Sequence, residues 1–363
     1  MNKMGFGFLR LPMKDNKVDI KLTQRLADDF IAKGGRYFDT AYTYLDGKSE
    51  TAFKQAVADR YERDRYEIAD KLPSWMVKNH EECYAYFKEQ LERCGVRRFD
   101  VYLLHWLNGE NYKTAEATRQ FEFLKELKEK GLAGRIGFSY HDSAALLDEI
   151  LAAHPEIDIV QLQVNYLDWK ARGIESEKCC LTAAKHGKSI IVMEPVKGGT
   201  LAVLPQKAAA LLEKKHPERS PASWALGFAQ SVPGVKRVLS GMNDPLQISE
   251  NMANTEPMSD EEKELLLKAA EIIKEGTAVG CTGCRYCTSY CPIGMLIPDV
   301  FSLYNEINRY PAEGWKIKPV YESLTQKSVK ASSCIGCGAC AQHCPQKLAI
   351  PGFLKMAAEA LEK

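Results

Sequence analysis

Eight cysteines near the end of this 363-residue chain constrain its fold more than any other feature. From position 281 the sequence reads CTGCRYCTSYCP, which places Cys281, Cys284, Cys287 and Cys291 ahead of Pro292. The same spacing returns in CIGCGACAQHCP as Cys334, Cys337, Cys340 and Cys344 ahead of Pro345. A [4Fe–4S] cube needs four sulfurs converging on one small core, and a tight loop carrying three thiolates with a fourth before proline suits it. Zinc also takes four cysteines, but usually from two separated Cys-x-x-Cys knuckles rather than from a repeated run. Disulfides are disfavoured because the sequence shows no secretory signal.

The tail carrying these runs resembles bacterial two-cluster ferredoxins, in which the fourth cysteine of each run ligates the other cluster. The resemblance therefore implies one cluster on Cys281, Cys284, Cys287 and Cys344, and a second on Cys334, Cys337, Cys340 and Cys291. It also sets the expected domain division, a first domain over 1–275 and a ferredoxin-like one over 276–363. The remaining cysteines, Cys83, Cys94, Cys179 and Cys180, read as reduced thiols that pack as small hydrophobes.

Composition narrows the rest. Hydrophobic residues make up 45%, enough for a sizeable core. With 49 basic residues against 48 acidic ones, nothing points to nucleic acid or to an anionic membrane surface. No run reaches the roughly 18 apolar residues of a membrane span, so the expectation is a cytoplasmic protein. Between residue 4 and about residue 255, short apolar runs alternate with helical patterns, the mark of βα repetition around a parallel sheet. Candidate strands are Gly5–Leu9, Tyr37–Thr40, Glu67–Ala69, Val101–Leu104, Ile136–Ser139, Val160–Val164, Ile190–Met193 and Arg237–Leu239. Eight such units suit an α/β fold of the (β/α)8 TIM-barrel type. A doubly wound sheet would usually show a Gly-x-Gly-x-x-Gly turn after its first strand, and none stands there.

In a barrel, chemistry belongs at the C-terminal ends of the strands. Those ends carry Asp39 with Tyr42 and Tyr44, then Lys71, then His105. A carbonyl that accepts hydride develops alkoxide charge and needs a proton. A tyrosine can supply it, an adjacent lysine ammonium is expected to lower the phenol's pKa, and a carboxylate can hold that lysine. A histidine can orient the carbonyl oxygen. On these grounds alone Tyr42 and Tyr44 compete for the acid role.

The stretch FDTAYTYLDGKSE and the strand ends at Lys71 and His105 resemble the aldo/keto reductase family, over most of residues 4–255. The resemblance assigns that family's catalytic tetrad to Asp39, Tyr44, Lys71 and His105, and it selects Tyr44. It also implies NAD(P)H as cofactor. Ser139 and Gln163 fall where the family holds the carboxamide, Met193 falls where it stacks an aromatic ring, and Ser240, Gly241, Asn243, Gln247, Glu250 and Asn251 look like its phosphate and adenine loop. Phosphate would be held there by backbone N–H groups at a helix N-terminus. The absence of Lys and Arg between residues 238 and 255 weighs against strict NADP preference. With the cysteine tail, the chain resembles the branch of this family that carries a C-terminal ferredoxin domain.

The function expected from these readings is an oxidoreductase acting on a small-molecule carbonyl or alcohol, with two [4Fe–4S] clusters serving electron transfer and a redox protein as partner. Hydride carries two electrons and each cluster one, so direct coupling calls for a converter such as a flavin. Two other readings stand beside it: an electron carrier with an altered barrel, and an ordinary reductase whose clusters are structural or sensing. The loops around Trp75, Trp106–Tyr112 and Trp169, which would shape the substrate site, are the variable parts of such a barrel.

Overall fold

The computed structural model describes residues 3–171, 174–253, 258–309, 314–326 and 328–363. Eight parallel strands close into a barrel: β1 Met4–Gly7, β2 Tyr37–Asp39, β3 Glu67–Leu72, β4 Phe99–Leu107, β5 Ala133–Tyr140, β6 Ile159–Gln163, β7 Ser189–Met193 and β8 Val235–Ser240. Each pairs with its neighbour in sequence, and β1 closes the ring on β8 with Phe6 opposite Ser240. Each expected strand overlaps one of these eight, the first ending at Gly7 rather than Leu9 because a 3-10 turn begins at Phe8.

Side chains alternate across a strand, so one inward residue fixes the next. Tyr37, Ala69, Val101, Leu103, Ile159, Ile191 and Leu239 form one buried apolar cluster contributed by six of the strands. Two residues further along, on the same face, stand Asp39, Lys71, His105, Gln161, Met193 and Gly241. The polar site is thus the layer above the barrel's apolar filling. Gly137 on β5 is required by close approach, since a Cβ there would lie 2.1 Å from the Ile159 carbonyl oxygen.

The outward faces bury against helices. The helix Ile20–Ala32 begins at Asp19, whose side chain accepts from the Leu22 N–H at 3.0 Å. It buries Thr23, Leu26, Ala27, Phe30 and Ile31, the spacing of a single helical face. Phe30 meets Phe6 and Phe38 edge to face at centroid distances of 5.6 and 5.3 Å. Truncating such a buried ring to alanine costs about 3–5 kcal/mol.

The chain divides into two compact units, one of residues 1–195 and 222–259, the other of 196–221 and 260–363. These limits depart from a single junction at 275/276. The helix Asp260–Glu275 packs on Gln206–Glu213 inside the second unit, and both belong there by contact. The core of that unit gathers Val279, Met295, Ile297, Val300, Phe301, Tyr304, Ile317, Tyr321 and Leu354. Its helix Ile297–Arg309 packs on Gly314–Gln326 and on Ile350–Leu361.

Candidate active site and cysteine sites

Lys71 is wholly buried at the end of β3, and its ammonium is held from three sides. Nζ donates to Asp39 Oδ1 at 2.6 Å, to the Thr40 carbonyl at 2.7 Å and to the Tyr44 hydroxyl at 3.2 Å. Gln161 donates to the other Asp39 oxygen at 3.3 Å. A buried charge is tolerated only when paired and hydrogen-bonded, as this one is. The His105 ring lies 5.6 Å from that of Tyr44, edge to face, and 5.3 Å from Trp75, which in turn meets Trp106 at 5.4 Å.

Of the two tyrosines after β2, the fold brings Tyr44 to Lys71. Tyr42 turns elsewhere, donating to Glu89 at 3.1 Å under the Arg93 guanidinium, 4.4 Å from its ring centre. Burial pushes the Tyr44 phenol well above its ordinary value, and the neighbouring Asp39 and Glu194 carboxylates push the same way. The ammonium beside it was expected to lower that pKa. Desolvation of the phenolate and the nearby carboxylates outweigh it, so the resting group is a protonated phenol. Burial lowers the His105 pKa well below its usual value, with Lys71 and His141 adding to the effect. The imidazole is neutral around pH 7.

Beneath Lys71 lies a feature that the sequence did not announce. Ligand atoms of Glu50, Asp70 and Cys94, all buried, stand within 4.8 Å of one another. Asp70 Oδ1 accepts from the Lys71 backbone N–H at 2.8 Å, and Arg93 pairs with Glu50 at 3.1 Å. Burial and the neighbouring Glu50 push the Asp70 carboxyl well above its usual range, which favours its protonated form.

The residues aligned with a nicotinamide site are brought together unevenly. At the end of β8, Ser240 and Gly241 lead into the helix Pro245–Ala253; Asn251 donates to the Ser240 hydroxyl at 3.1 Å, and Gln247 accepts from the Asn243 N–H at 2.9 Å. Gly241, Asn243, Gln247 and Glu250 are exposed there. At the ring end, the Ser139 hydroxyl accepts from the Trp106 N–H at 2.7 Å, while Gln163 donates to Asp168 at 2.7 Å. Met193 ends β7, half-buried on the inward face. Sequence reasoning missed Arg10. A Cβ on Gly241 would lie 3.0 Å from that of Arg10, so the stem of an arginine in the turn after β1 packs against this loop. The signal was closure itself, because β1 neighbours β8 only once the barrel is complete.

In the second unit the cysteines form two groups. Cys281, Cys284, Cys287 and Cys344 line one small pocket with Ile297, Phe301 and Leu348. Cys291, Cys334, Cys337 and Cys340 line another. The third cysteine of each run sits on a four-residue helix, Tyr286–Ser289 or Ala339–Gln342, entered through a left-handed residue, Arg285 or Gly338. Backbone N–H groups of Gly283 and Met295 donate to the sulfurs of Cys281 and Cys291 at 3.4 Å. Burial pushes the Cys287 and Cys340 thiols up, and the charges of the other cysteines in their own groups add to it. Four thiolates this close repel one another unless a metal core supplies the compensating charge, so each group fits an iron–sulfur cube. Cys83, Cys94, Cys179 and Cys180 are buried elsewhere.

Residues 3–271 match the aldo/keto reductase family, and residues 280–349 match the 4Fe-4S dicluster domain. An aldo-keto reductase of Mycolicibacterium smegmatis is 24% identical over 201 residues, covering 54% of this chain and 68% of its own. Among solved structures, the holo form of an aldo-keto reductase from Bacillus halodurans superposes with a TM-score of 0.61 at 22% identity, covering 74% of this chain and 91% of its own. An aldo/keto reductase from Klebsiella pneumoniae, in complex with NADP and acetate, gives 0.60 at 20% identity over 75% and 91%. A family match of that extent means that this chain belongs to the aldo/keto reductases, oxidoreductases by family, as a member extended by a 4Fe-4S dicluster domain.

Proposed function

We propose that the barrel reduces a small-molecule carbonyl at the expense of NAD(P)H, or runs the reverse oxidation, with Tyr44 as general acid and base. The observation that carries this reading is the bonding of one buried ammonium, Lys71, to both Asp39 and the Tyr44 hydroxyl. A bound reduced nicotinamide would supply the hydride. As the carbonyl oxygen becomes an alkoxide it takes the Tyr44 proton, a favourable transfer because an alkoxide is more basic than a phenolate. Lys71 stabilises the phenolate that remains, and Asp39 keeps the ammonium in place. Neutral His105 can donate a hydrogen bond to the oxygen without competing to protonate it. The balance is carbonyl, hydride and one proton giving alcohol, the proton being restored from solvent.

At the phosphate end, Ser240, Gly241, Asn243 and Gln247 with Arg10 suit a dinucleotide. The ring end departs from the family, since Ser139 and Gln163 are engaged with Trp106 and Asp168. This departure favours a second reading, in which the barrel is catalytically altered and the chain works chiefly as an electron carrier. In either case the eight cysteines hold two [4Fe–4S] clusters, which move electrons singly, and hydride chemistry coupled to them calls for a flavin or another converter.

Tyr44→Phe separates the two. The enzyme reading expects NAD(P)H-dependent carbonyl reduction to fall by about 10²–10⁴-fold, with the iron–sulfur absorbance and dinucleotide affinity unchanged. Turnover that survives the substitution removes Tyr44 from the mechanism. Undiminished cluster-mediated electron transfer with no carbonyl turnover in the parent protein supports the carrier.

A further inference from the structure

The segment Val196–Pro221 lies between β7 and β8 in sequence, yet it belongs by contact to the cysteine-bearing unit. Its first residues are unusual in three ways. Lys197, Gly198 and Gly199 all have positive φ, at 46°, 65° and 101°. A lysine in that region is uncommon, and such backbones persist where the surroundings impose them. Gly198 is pressed so closely on the first cysteine loop that a Cβ would lie 2.1 Å from the Thr282 carbonyl oxygen. Finally, Lys197 is only 5% exposed, and its Nζ donates to Gln346 Oε1 at 3.0 Å. Lysines are almost never buried to this degree without a purpose for the charge.

Gln346 lines the cavity bounded by Cys281, Cys284, Cys287 and Cys344, two residues past the last of these. Thr282, against Gly198, lines it too. The two cavities differ in charge. The only ionic side chain among the lining residues of the first, apart from its cysteines, is Arg285, whose guanidinium is matched by Asp299 at 2.7 and 2.8 Å. Among the described residues, the second is lined by no Lys, Arg, Asp or Glu, and its Cys337 and Ile335 are exposed. Lys197 therefore sets a cation against Gln346, a residue lining the first cavity, whereas the residues described as lining the second include no cation.

We propose that Lys197 is a positioning residue for redox potential, a buried cation that makes the cluster on Cys281, Cys284, Cys287 and Cys344 easier to reduce than its neighbour. The inference rests on the assignment of two clusters given above. Reduction adds one electron, and hence one negative charge, to a core already made anionic by its thiolates. A nearby cation held away from water stabilises the reduced form, and charge, hydrogen bonding and exposure are what set such potentials. Gly198 lets the backbone come close enough for the lysine to reach Gln346. The order of the two potentials is then built into a segment borrowed from between two barrel strands.

The test is an EPR-monitored redox titration of the reconstituted full-length protein. For Lys197→Gln, one couple is expected to become at least tenfold harder to reduce, about 59 mV for one electron, while the other stays within threefold. Lys197→Arg keeps the charge and is expected to keep both couples within threefold of the parent. Gln346→Glu provides a second route that leaves the lysine in place, since a carboxylate set against the ammonium cancels its charge and is expected to lower the same couple. If both couples stay within threefold in iron-replete Lys197→Gln and Gln346→Glu proteins, the proposal is overturned. A shift that Lys197→Arg reproduces in full overturns it as well, because the cause is then packing. A parent protein that binds no iron or labile sulfide refutes the cluster assignment instead, and the two failures are told apart by metal analysis.

Discussion

The barrel site and the cysteine sites are assembled in opposite ways. Asp39, Lys71 and His105 come from three successive strands, and sheet register alone sets them on one inward layer. Cys281, Cys284 and Cys287 lie within a few residues of one another, on a loop whose only regular element is a four-residue helix. The barrel site is complete as protein: its lysine, carboxylate and phenol satisfy one another. The cysteine groups are not, because their thiols crowd together and need a metal core to hold them. Long-range topology preorganises one region, while the other is fitted to an inorganic core that would complete it.

If that contrast is right, removing iron should dismantle one region and spare the other. Chelation under oxidising conditions, or Cys340→Ser combined with Cys287→Ser, is expected to make 276–363 sensitive to limited proteolysis while a fragment holding the barrel strands survives. Mass spectrometry of the digest beside iron analysis reads this directly. A cysteine region that stays protected without iron would erase the distinction, since its packing around Phe301, Tyr321 and Leu354 would then suffice.

A smaller effect probes the barrel's own long-range assembly. Arg10 reaches the loop after β8 only because β1 closes the ring. Arg10→Ala is expected to raise KM for NADPH by about tenfold, the equivalent of 1.4 kcal/mol, and to change KM for NADH less than twofold. Equal changes for both dinucleotides would mean that Arg10 does not meet a 2′-phosphate, and would return weight to the absence of basic residues in the loop itself.

The same contrast governs what could be read from the sequence. Three cysteines of each group are local, so spacing exposes them directly, while the fourth, Cys344 or Cys291, comes from the other run. The barrel was legible because each strand is a short apolar run followed by polar residues at its end, and Asp39, Lys71 and His105 are the first of these to face inward. What escaped needed contacts across the chain. Tyr42 and Tyr44 look alike until Arg93 and Glu89, on the helix His80–Cys94, draw one of them aside. The membership of Val196–Pro221 in the second unit is hidden because barrel strands flank it on both sides. Asp70 reads as an ordinary polar residue at a strand end, and its neutrality depends on Glu50 and Cys94 arriving from two helices.

Asp70 also gives the smallest and most specific of the expected effects. The groups facing it are the Glu50 carboxyl with its Arg93 partner, the Cys94 thiol, the buried Tyr102 phenol, and the backbone N–H of Lys71. Two carboxyls in a dry site cannot both ionise cheaply, and Arg93 favours the charge on Glu50, which leaves the proton on Asp70. Its folded pKa thus lies well above that of an unfolded aspartate. A raised pKa contributes stability that is fully present below the unfolded value and is lost as pH rises through the folded one. Asp70→Asn is neutral at every pH and has no such loss. The difference in Tm, variant minus parent, is therefore expected to grow between about pH 4 and pH 8, by about 2–4 °C for each kcal/mol regained in a protein of this class. Calorimetry across that range reads the slope. A difference that stays flat would mean that Asp70 is ionised beside Lys71, and the barrel site would then hold two carboxylates against its one ammonium.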